Sequence, residues 1–282
     1  MLATSLHLPQ HWEEALGHAA RARRVAVIGP ADVGKSSFIR ALAEHLPGLR
    51  VIDLDAGQKM IGAPGTVSLG RILPEPQLES FVFLGSSGIG SFRILAGAAA
   101  TLASRAGAAP FALNTSGYVE GPGARLQAMA LAAIVPDLVV AIAVPPALEP
   151  VLAPIADVIR LGRSPFATRK TAGFKRRVRQ QAFEAALAGA TELVIDDPLF
   201  QPGPPLPSSA GVRPVCALAG PDGRDLELGI LLAAAEAQAT VLARRPAADA
   251  RLIRLGKMRA EPRDGGWRLR ERLSPAFVAE PR

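Results

Sequence analysis

The stretch from residue 29 to residue 36 constrains the fold of this chain more than any other part of its sequence. It reads GPADVGKS and matches the pattern G-x-x-x-x-G-K-[ST], with an apolar run at 24–28 before it and an amphipathic segment at 36–46 after it. A strand, a glycine-rich loop and a helix in this order form a phosphate-binding loop (P-loop), in which backbone N–H groups point at phosphate oxygens. The sequence therefore predicts an α/β domain built around a P-loop.

Each part of this loop has a predicted role. The glycines let the backbone wrap around the phosphates. We expect Lys35 to reach the β- and γ-phosphates as a catalytic residue and the Ser36 hydroxyl to bind Mg²⁺. The alternative is a glycine-rich turn without a ligand. The residues predicted to bind the nucleotide are Gly29, Pro30, Ala31, Asp32, Val33, Gly34, Lys35, Ser36 and Ser37.

A second apolar run, at 50–54, leads into two acidic side chains. Successive side chains of a strand point to opposite faces, so Asp53 and Asp55 share a face, with Leu54 opposite. Next to a P-loop, this end of a strand faces the ligand crevice. We assign Asp53 to the metal and Asp55 to an attacking hydroxyl, although the sequence does not decide which carboxylate takes which role. The alternative is that they cap the following turn.

Short apolar runs alternate with helix-like segments through the first 200 residues. Such runs, apolar on both faces and separated by helices, predict a mainly parallel sheet covered by helices. The runs are 24–28, 50–54, 81–84, 110–114, 138–144, 158–161 and 192–195. The predicted organisation is an N-terminal segment (1–23), a P-loop domain (24–200), a proline-rich linker (201–210) and a small C-terminal module with a tail (211–282).

Composition excludes several classes of protein. The single cysteine, Cys216, excludes a disulfide framework and a multi-cysteine metal site, and fits a reducing cytoplasm. The N-terminus lacks the apolar core of a secretory signal, and the most apolar stretch, 131–153, is interrupted by Asp137 and four prolines, so no membrane span is expected. The net charge of +7 favours anionic partners such as nucleic acid, with arginine-rich codon usage as an equal alternative.

Five segments, in order along the chain, resemble the polynucleotide 5′-hydroxyl kinases, the family of the pre-mRNA cleavage factor RNA kinase and the ribosomal-RNA-processing kinases. The resemblance covers about residues 24–200 well and the remainder weakly. It implies transfer of the γ-phosphate of ATP or GTP to the 5′-hydroxyl end of RNA or DNA, with Mg²⁺ as cofactor. The segments are GPADVGKSS from residue 29, DLDAGQKMIGAPGT from 53, FLGSS from 83, NTSGYVEGPGARL from 114 and SPFATRKTAGFKRRVRQQAF from 164.

The fourth segment resembles the clasp with which this family grips the acceptor nucleotide. The resemblance implies that Thr115, Gly117 and Tyr118 bind the acceptor, and that Gln58 lies near the metal or the acceptor phosphate. A base stacked on an aromatic ring gains about 1–3 kcal/mol whatever its identity. This suits an enzyme that tolerates many end sequences. Taken alone, a single tyrosine such as Tyr118 is more often a core or surface residue than a ligand contact, and only the resemblance favours the clasp role.

The fifth segment carries six basic side chains and no acidic one between residues 169 and 179. Phosphoryl transfer spreads negative charge over the transferred oxygens, so a cationic lid suits this chemistry. The resemblance implies a lid at about 163–183, in which Arg176 and Arg177 are catalytic and Arg169 contacts the acceptor. The alternatives are a solvated basic helix face and a patch that docks the nucleic-acid backbone.

The chain departs from the family in three places. Tyr118 stands where the family usually has tryptophan, Ser87-Gly88 stands where it often has Ser-Pro, and about 24 residues precede the first strand where the family has a larger β domain. Family members end in a β-rich module, which implies strands for 211–282. The alanine-rich run 231–242 favours a helix instead, whereas Pro221-Asp222-Gly223 predicts a turn between apolar runs.

Two other functions stay open. A nucleotide-switch ATPase that works as an assembly module would share the P-loop but would not need a clasp or a basic lid. A kinase for a small molecule or free nucleoside predicts a closed acceptor pocket and leaves the charge of +7 unexplained. The preferred sugar, the strandedness and the oligomeric state are not decided by the sequence.

Overall fold

A computed structural model describes residues 8–88, 92–201, 211–244 and 250–270 of the chain. The described residues form two compact units. The first takes in those among 1–62, 67–82 and 91–177, and the second those among 63–66, 83–90 and 178–282. The C-terminal part of the second unit starts at residue 178, whereas we predicted a boundary at 200. The predicted proline-rich linker lies almost wholly outside the described residues.

The first unit is built on a seven-stranded sheet with the strand order β4-β3-β2-β5-β1-β6-β7. Strands β2, β5, β1, β6 and β7 run parallel to one another, and β3 is antiparallel to β2. This confirms the predicted mainly parallel sheet. The elements of this unit are α1 (Glu13–Ala19), β1 (Arg24–Ile28), α2 (Lys35–His45), β2 (Arg50–Asp53), β3 (Thr66–Arg71), β4 (Gln77–Phe83), α3 (Phe92–Ala106), β5 (Phe111–Asn114), α4 (Pro122–Ile134), β6 (Leu138–Ile142), α5 (Glu149–Leu152) and β7 (Val158–Leu161). The last helix, α6 (Ala172–Leu187), belongs to the first unit up to residue 177 and to the second from residue 178.

The central strands are buried on both faces, which explains why their sequences are continuously apolar. Every residue of β5 and β6, and all of β1 after Arg24, is buried. Strand β3 is also buried but was not predicted, because Ser68 and Gly70 interrupt its apolar run. Gly70 is required there, since a Cβ on it would lie 2.0 Å from the Gln77 carbonyl oxygen.

The second unit contains a second sheet, which confirms the predicted β-rich module. Its order is β14-β13-β10-β11-β12-β8, antiparallel throughout, and β9 pairs parallel with β13. Its core includes Cys216, Leu231 and Val241. The strands are β8 (Thr191–Asp196), β9 (Leu199–Gln201), β10 (Arg213–Ala219), β11 (Asp225–Ala234), β12 (Gln238–Ala243), β13 (Leu252–Arg263) and β14 (Gly266–Arg270).

The alanine-rich run 231–242 is extended despite its helix propensity. It lies across the β11–β12 hairpin, where small side chains suit close approach of the two strands: a Cβ on Gly229 would lie 2.7 Å from Val241 Cγ1. The predicted turn at 221–223 joins β10 to β11, with Gly223 at φ +74°. The module therefore contains the predicted turn and the strands that the resemblance implied, and the alanine-rich run does not form the helix that its propensity favours.

One predicted strand belongs to the other sheet. Residues 192–195 lie in β8, which pairs antiparallel with β12 and is not part of the parallel sheet. Only Ile195 of β8 is buried. The apolar run is therefore a one-sided strand, although its composition resembles that of the parallel strands.

Among the described residues, no helix is both long and apolar enough to span a bilayer. The cytoplasmic location expected from the cysteine content stays a prediction.

Candidate active site

The P-loop joins β1 to α2, and two of its glycines are fixed by close contacts. A Cβ on Gly29 would lie 2.2 Å from the Ile142 carbonyl oxygen, and one on Gly34 would lie 2.8 Å from the ring of Trp12. Gly34 also has a φ of +112°, which residues with side chains rarely adopt. Neither position can take a side chain without displacing the loop.

The ring of Trp12 packs against Gly34 of the P-loop. Its indole is fully buried and meets the ring of Phe38 edge-on, with ring centroids 5.7 Å apart and an interplanar angle of 64°. The sequence assigned no role to the segment 1–23. The signal was the spacing of Trp12, Ala15, Leu16 and Ala19 on one helical face, all of which are buried.

Lys35 begins α2 and turns back into the loop. Its Nζ donates to the carbonyl oxygens of Gly29, at 2.8 Å, and Pro30, at 2.6 Å. Burial lowers the pKa of Lys35 to about 8, and the charges of Asp55 and Asp32 oppose that shift. The ammonium group is therefore held inside the loop, within the electrostatic reach of two carboxylates. Next in α2, Ser36 and Ser37 are half-buried.

Asp53 is fully buried, and groups of the chain itself hold both of its carboxylate oxygens. Oδ1 accepts from Asn114 Nδ2 at 2.8 Å and from the backbone N–H of Asp55 at 3.2 Å. Oδ2 accepts from the backbone N–H of Met60 at 2.6 Å and lies 3.2 Å from Lys59 Nζ. These contacts make Asp53 an anchor for the turn after β2. The metal-binding role predicted for it stays a prediction that the contacts disfavour.

Asp55 is the more available carboxylate. Its Oδ1 accepts from the backbone N–H groups of Gly57, at 3.0 Å, and Gln58, at 2.8 Å, and within the described residues no hydrogen bond to its Oδ2 is seen. Burial and, after it, the charge of Asp53 raise the pKa of Asp55. Its charge also raises the pKa of Lys35 against the effect of burial, so the Asp55 carboxylate lies within electrostatic reach of the P-loop lysine.

The predicted clasp loop packs directly on the P-loop. A Cβ on Gly117 would lie 2.6 Å from both the backbone nitrogen and the Cα of Ala31. Thr115 is 1% exposed, and its Oγ1 donates to the Val27 carbonyl oxygen at 3.0 Å. The structure therefore makes Thr115 a framework residue that ties the loop to β1, whereas we predicted contact with the acceptor.

A residue that the sequence did not reveal holds this loop from α4. Gln127 is 1% exposed, and its Nε2 donates to the carbonyl oxygens of Ser116 and Tyr118, at 3.0 Å each. Tyr118 itself is 37% exposed. The loop backbone is thus fixed while the aromatic side chain stays accessible. A glutamine on an otherwise apolar helix face was the available signal.

Residues 163–177, called the basic segment from here on, are attached to the P-loop through Asp32. The Asp32 Oδ2 accepts from the backbone N–H of Lys170 at 3.2 Å and lies 3.1 Å from Lys175 Nζ. The Asp32 carbonyl oxygen accepts from Arg163 Nε at 3.2 Å. Gln58 Nε2 donates to the Lys175 carbonyl oxygen at 3.4 Å. One P-loop residue therefore fixes both ends of the segment 163–175.

The three arginines predicted to act on substrates are on this basic segment and are exposed. Arg169 precedes α6, and Arg176 and Arg177 lie in its second turn. Within the described residues, no hydrogen bond or ion pair joins these three guanidinium groups to the P-loop. The lid and the catalytic and acceptor-binding roles of these arginines stay predictions.

The sequence has a family match that agrees with this geometry. The family model described as the mRNA cleavage and polyadenylation factor CLP1 P-loop matches residues 29–185, more than half of the chain. The chain belongs to this CLP1 P-loop family. The match takes in the P-loop, the β2 carboxylates, the clasp loop and the basic segment, and it confirms the resemblance found in the five sequence segments.

Relatives of this CLP1-family chain include named kinases. It is 28% identical over 181 residues to a polyribonucleotide 5′-hydroxyl-kinase of Pyrococcus furiosus, covering 57% of this chain and 49% of the relative. It is 31% identical over 164 residues to one of Pyrococcus horikoshii, covering 51% and 44%. The aligned part thus spans about half the length of these relatives.

A solved structure shares the fold of the CLP1-family chain. The wild-type Clp1p–Pcf11p complex contains a chain that matches with a TM-score of 0.68 and 12% identity, covering 87% of this chain and 77% of that one. At this identity the likeness concerns the fold alone.

The CLP1-family chain offers few protein ligands for a metal ion. Within the described residues, no group of three or more His, Cys, Asp or Glu side chains could hold one. Mg²⁺ commonly takes only one or two protein ligands and completes its shell with water and substrate phosphates. The half-buried Ser36 hydroxyl therefore fits Mg²⁺. Burial raises the pKa of Cys216 to about 12, which leaves this thiol unreactive.

Proposed function

We propose that this protein is a polynucleotide 5′-hydroxyl kinase that transfers the γ-phosphate of ATP or GTP to the 5′-hydroxyl end of RNA or DNA. The observation that carries the proposal is the assembly of three distant segments on one P-loop. Asp55 lies within electrostatic reach of Lys35, Gly117 packs on Ala31, and the basic segment is held by Asp32. The names of the Pyrococcus relatives support the same activity.

Nucleotide binding is assigned to the P-loop. Its backbone N–H groups and the start of α2 face the phosphates, because a helix N-terminus presents unpaired donors to an anion. Lys35 Nζ, which donates to two carbonyl oxygens of the loop, gains charged phosphate oxygens as stronger acceptors. Ser36 is the residue that fits Mg²⁺, which when bound neutralises charge on the phosphates.

Proton transfer is assigned to Asp55. An efficient general base has a pKa close to the working pH, and burial together with the charge of Asp53 raises the pKa of Asp55 in that direction. The oxygen of the 5′-hydroxyl attacks the γ-phosphorus while Asp55 accepts the hydroxyl proton. The bond between the γ-phosphorus and the bridging β-phosphate oxygen breaks, and the nucleoside diphosphate leaves. Asp53 acts indirectly by holding the backbone N–H of Asp55.

Acceptor positioning is assigned to the clasp loop and the basic segment. The exposed ring of Tyr118 offers a stacking face for the terminal base. Arg169, Arg176 and Arg177 supply positive charge for the acceptor phosphate and for the oxygens of the transferred group. Gln58 joins the turn after β2 to the basic segment, which makes it a positioning residue in this account.

The proposal is tested with labelled γ-phosphate and four oligonucleotides of one length. These are ribose and deoxyribose forms, each with a 5′-hydroxyl or with a 5′-phosphate. We expect label on at least one 5′-hydroxyl form and on neither 5′-phosphate form, and the better form identifies the preferred sugar. A parallel reaction contains a free nucleoside, and label on that nucleoside but on no oligonucleotide would indicate a small-molecule kinase and contradict the proposal.

Nucleotide affinity is expected to fall as the pH rises above about 8. Since the pKa of Lys35 is about 8 in the free protein, most molecules lack the ammonium charge at pH 9, and affinity for ATP should be about tenfold lower than at pH 7. Titration calorimetry at the two pH values measures this. The Lys35→Arg variant, whose charge persists, should show little change, and an equal fall in both proteins would rule out Lys35 as the cause.

Replacing Gly117 by alanine is expected to reduce both nucleotide binding and transfer by about tenfold or more. The added methyl group would meet the backbone of Ala31 at 2.6 Å, so the P-loop or the clasp loop must move, and small displacements of reacting groups cost about 100-fold in rate. Gly97→Ala is the matched control, because nothing lies within 4 Å of a Cβ there. Unchanged kinetics in Gly117→Ala would show that the loop contact is not needed.

A further inference from the structure

Two large apolar side chains of the first unit are exposed within the basic segment. Phe166 is 56% exposed and Phe174 is 42% exposed. Single exposed apolar side chains are common on protein surfaces, whereas several in one region mark a surface that contacts other molecules, and these two rings are eight positions apart in one segment. Neither residue has a role in the proposed transfer reaction, which leaves these rings to be explained.

The turn that carries Phe166 is fixed to the P-loop. Its backbone N–H donates to Ser164 Oγ at 3.3 Å, and the N–H of Ala167 donates to the Ser164 carbonyl oxygen at 3.0 Å. Ser164 is buried, and its own N–H donates to the Val33 carbonyl oxygen at 3.1 Å. The exposed ring therefore projects from a well-anchored turn.

Phe174 is anchored in a similar way at the start of α6. Its backbone N–H donates to Thr171 Oγ1 at 3.1 Å, and the N–H of Lys175 donates to the Thr171 carbonyl oxygen at 3.0 Å. The side chain of Lys175 then pairs with Asp32 of the P-loop. Both rings are thus presented by backbone that is hydrogen-bonded close to the site of transfer.

The surroundings of both rings are cationic. Between residues 158 and 183 the sequence contains no acidic residue. Arg169, Lys170, Arg176 and Arg177 are all exposed. Positive side chains interleaved with exposed aromatic rings are the combination by which proteins bind single-stranded nucleic acid, with phosphates on the cations and bases on the rings.

We propose that Phe166 and Phe174 are stacking platforms for the bases that follow the 5′-terminal nucleotide of a single-stranded acceptor. This rests on the proposed function for its biological meaning, but the binding itself is measurable without any transfer. The neighbouring arginines bind the phosphates between those bases. The site gives the enzyme a preference for oligonucleotides over mononucleotides without a preference for sequence, because every base has a face that stacks.

The test compares three ligands: a 5′-hydroxyl oligonucleotide, an abasic oligonucleotide with the same number of phosphates, and a nucleoside 3′-phosphate. We expect Phe166→Ala/Phe174→Ala to bind the first about tenfold or more weakly, by fluorescence anisotropy. Its affinity for the abasic strand and the slope of affinity against salt concentration should stay unchanged, because the phosphate contacts remain. Its kcat/KM for the nucleoside 3′-phosphate should stay within about twofold, since that acceptor lacks the following bases.

Two control variants make the result specific. Leu78→Ala removes another apolar side chain, which is 47% exposed and is followed in sequence by the acidic Glu79. This variant should leave the affinities for both strands and the kcat/KM for the nucleoside 3′-phosphate unchanged. Arg169→Gln should weaken the oligonucleotide and the abasic strand equally. An equal loss of both strands in the double alanine variant, or no loss at all, would overturn the proposal.

Two further outcomes separate this inference from the proposed function and from another partner. Normal base-dependent binding without any transfer would support the platforms and contradict the kinase proposal. If polyglutamate of matched charge bound as tightly as the oligonucleotide and lost affinity equally in the double variant, the surface would be a site for acidic protein and the stacking proposal would fail.

Discussion

Replacing Lys35 by methionine is expected to reduce phosphoryl transfer by about 100-fold to 1,000-fold. Methionine keeps the length and the apolar stem of the side chain but removes the buried ammonium group that donates to Gly29 and Pro30. Without it, the negative charge that develops on the transferred oxygens loses its closest fixed cation. Single-turnover transfer of labelled γ-phosphate measures the effect.

The control is Lys257→Met, which removes an exposed lysine of the second unit. It should transfer phosphate at the normal rate. Circular dichroism of both variants shows whether the fold is kept. A Lys35→Met variant that is folded and retains more than about a tenth of the activity would contradict the role given to this lysine.

Replacing Asp55 by asparagine is expected to abolish most transfer and, at neutral pH, to stabilise the free protein. Transfer should fall by about 100-fold to 10,000-fold, the usual contribution of a general base. Asparagine keeps an Oδ1 that can accept from the N–H groups of Gly57 and Gln58. The variant therefore removes the charge with little change in local geometry.

The stabilisation follows from the direction of the pKa shift. Burial and Asp53 raise the pKa of Asp55 above its ordinary value, so the folded protein binds this proton more tightly than the unfolded chain. Ionisation of Asp55 therefore costs stability, and this cost grows as the pH rises through the folded pKa. Below the unfolded pKa, both states are protonated and the cost vanishes.

Thermal unfolding without nucleotide or metal tests the sign. Asp55→Asn should have a higher Tm than the unaltered protein at pH 7, and the difference should shrink as the pH approaches 4. Asp264→Asn, at an exposed position in the turn between β13 and β14, should leave the Tm unchanged at both pH values. A lower Tm for Asp55→Asn at pH 7 would show that its charge stabilises the free site.

Local patterns predicted the framework of the first unit. The strand, loop and helix of the P-loop are adjacent in sequence. Their glycines mark positions where the backbone of a nucleotide-binding loop has no room for a side chain. The central strands are buried on both faces, so their apolar runs could be recognised without knowing the neighbours. The clasp loop and the basic segment were recognisable because their residues, not their contacts, carry the family pattern.

The unpredicted parts depend on contacts between residues far apart in the chain. The sequence places Asp53 and Asp55 on one face of the strand. It does not show that Asn114 donates a hydrogen bond to Asp53 and that Lys59 forms an ion pair with it. Likewise, the burial of Thr115 depends on its bond to Val27. The pairing of β8 with β12 also could not be read from β8 itself, since a one-sided strand differs from a parallel one only in its partners.

The fate of the γ-phosphate distinguishes a 5′-hydroxyl kinase from an enzyme that only hydrolyses its nucleotide. A single-turnover reaction with labelled ATP, Mg²⁺ and a 5′-hydroxyl oligonucleotide separates label on the oligonucleotide end from label released as inorganic phosphate. We expect most of the label on the 5′ end, and loss of that product in Lys35→Met and Asp55→Asn. Label found only as inorganic phosphate, with every oligonucleotide unlabelled, would contradict the kinase and identify the protein as a nucleotide-hydrolysing switch.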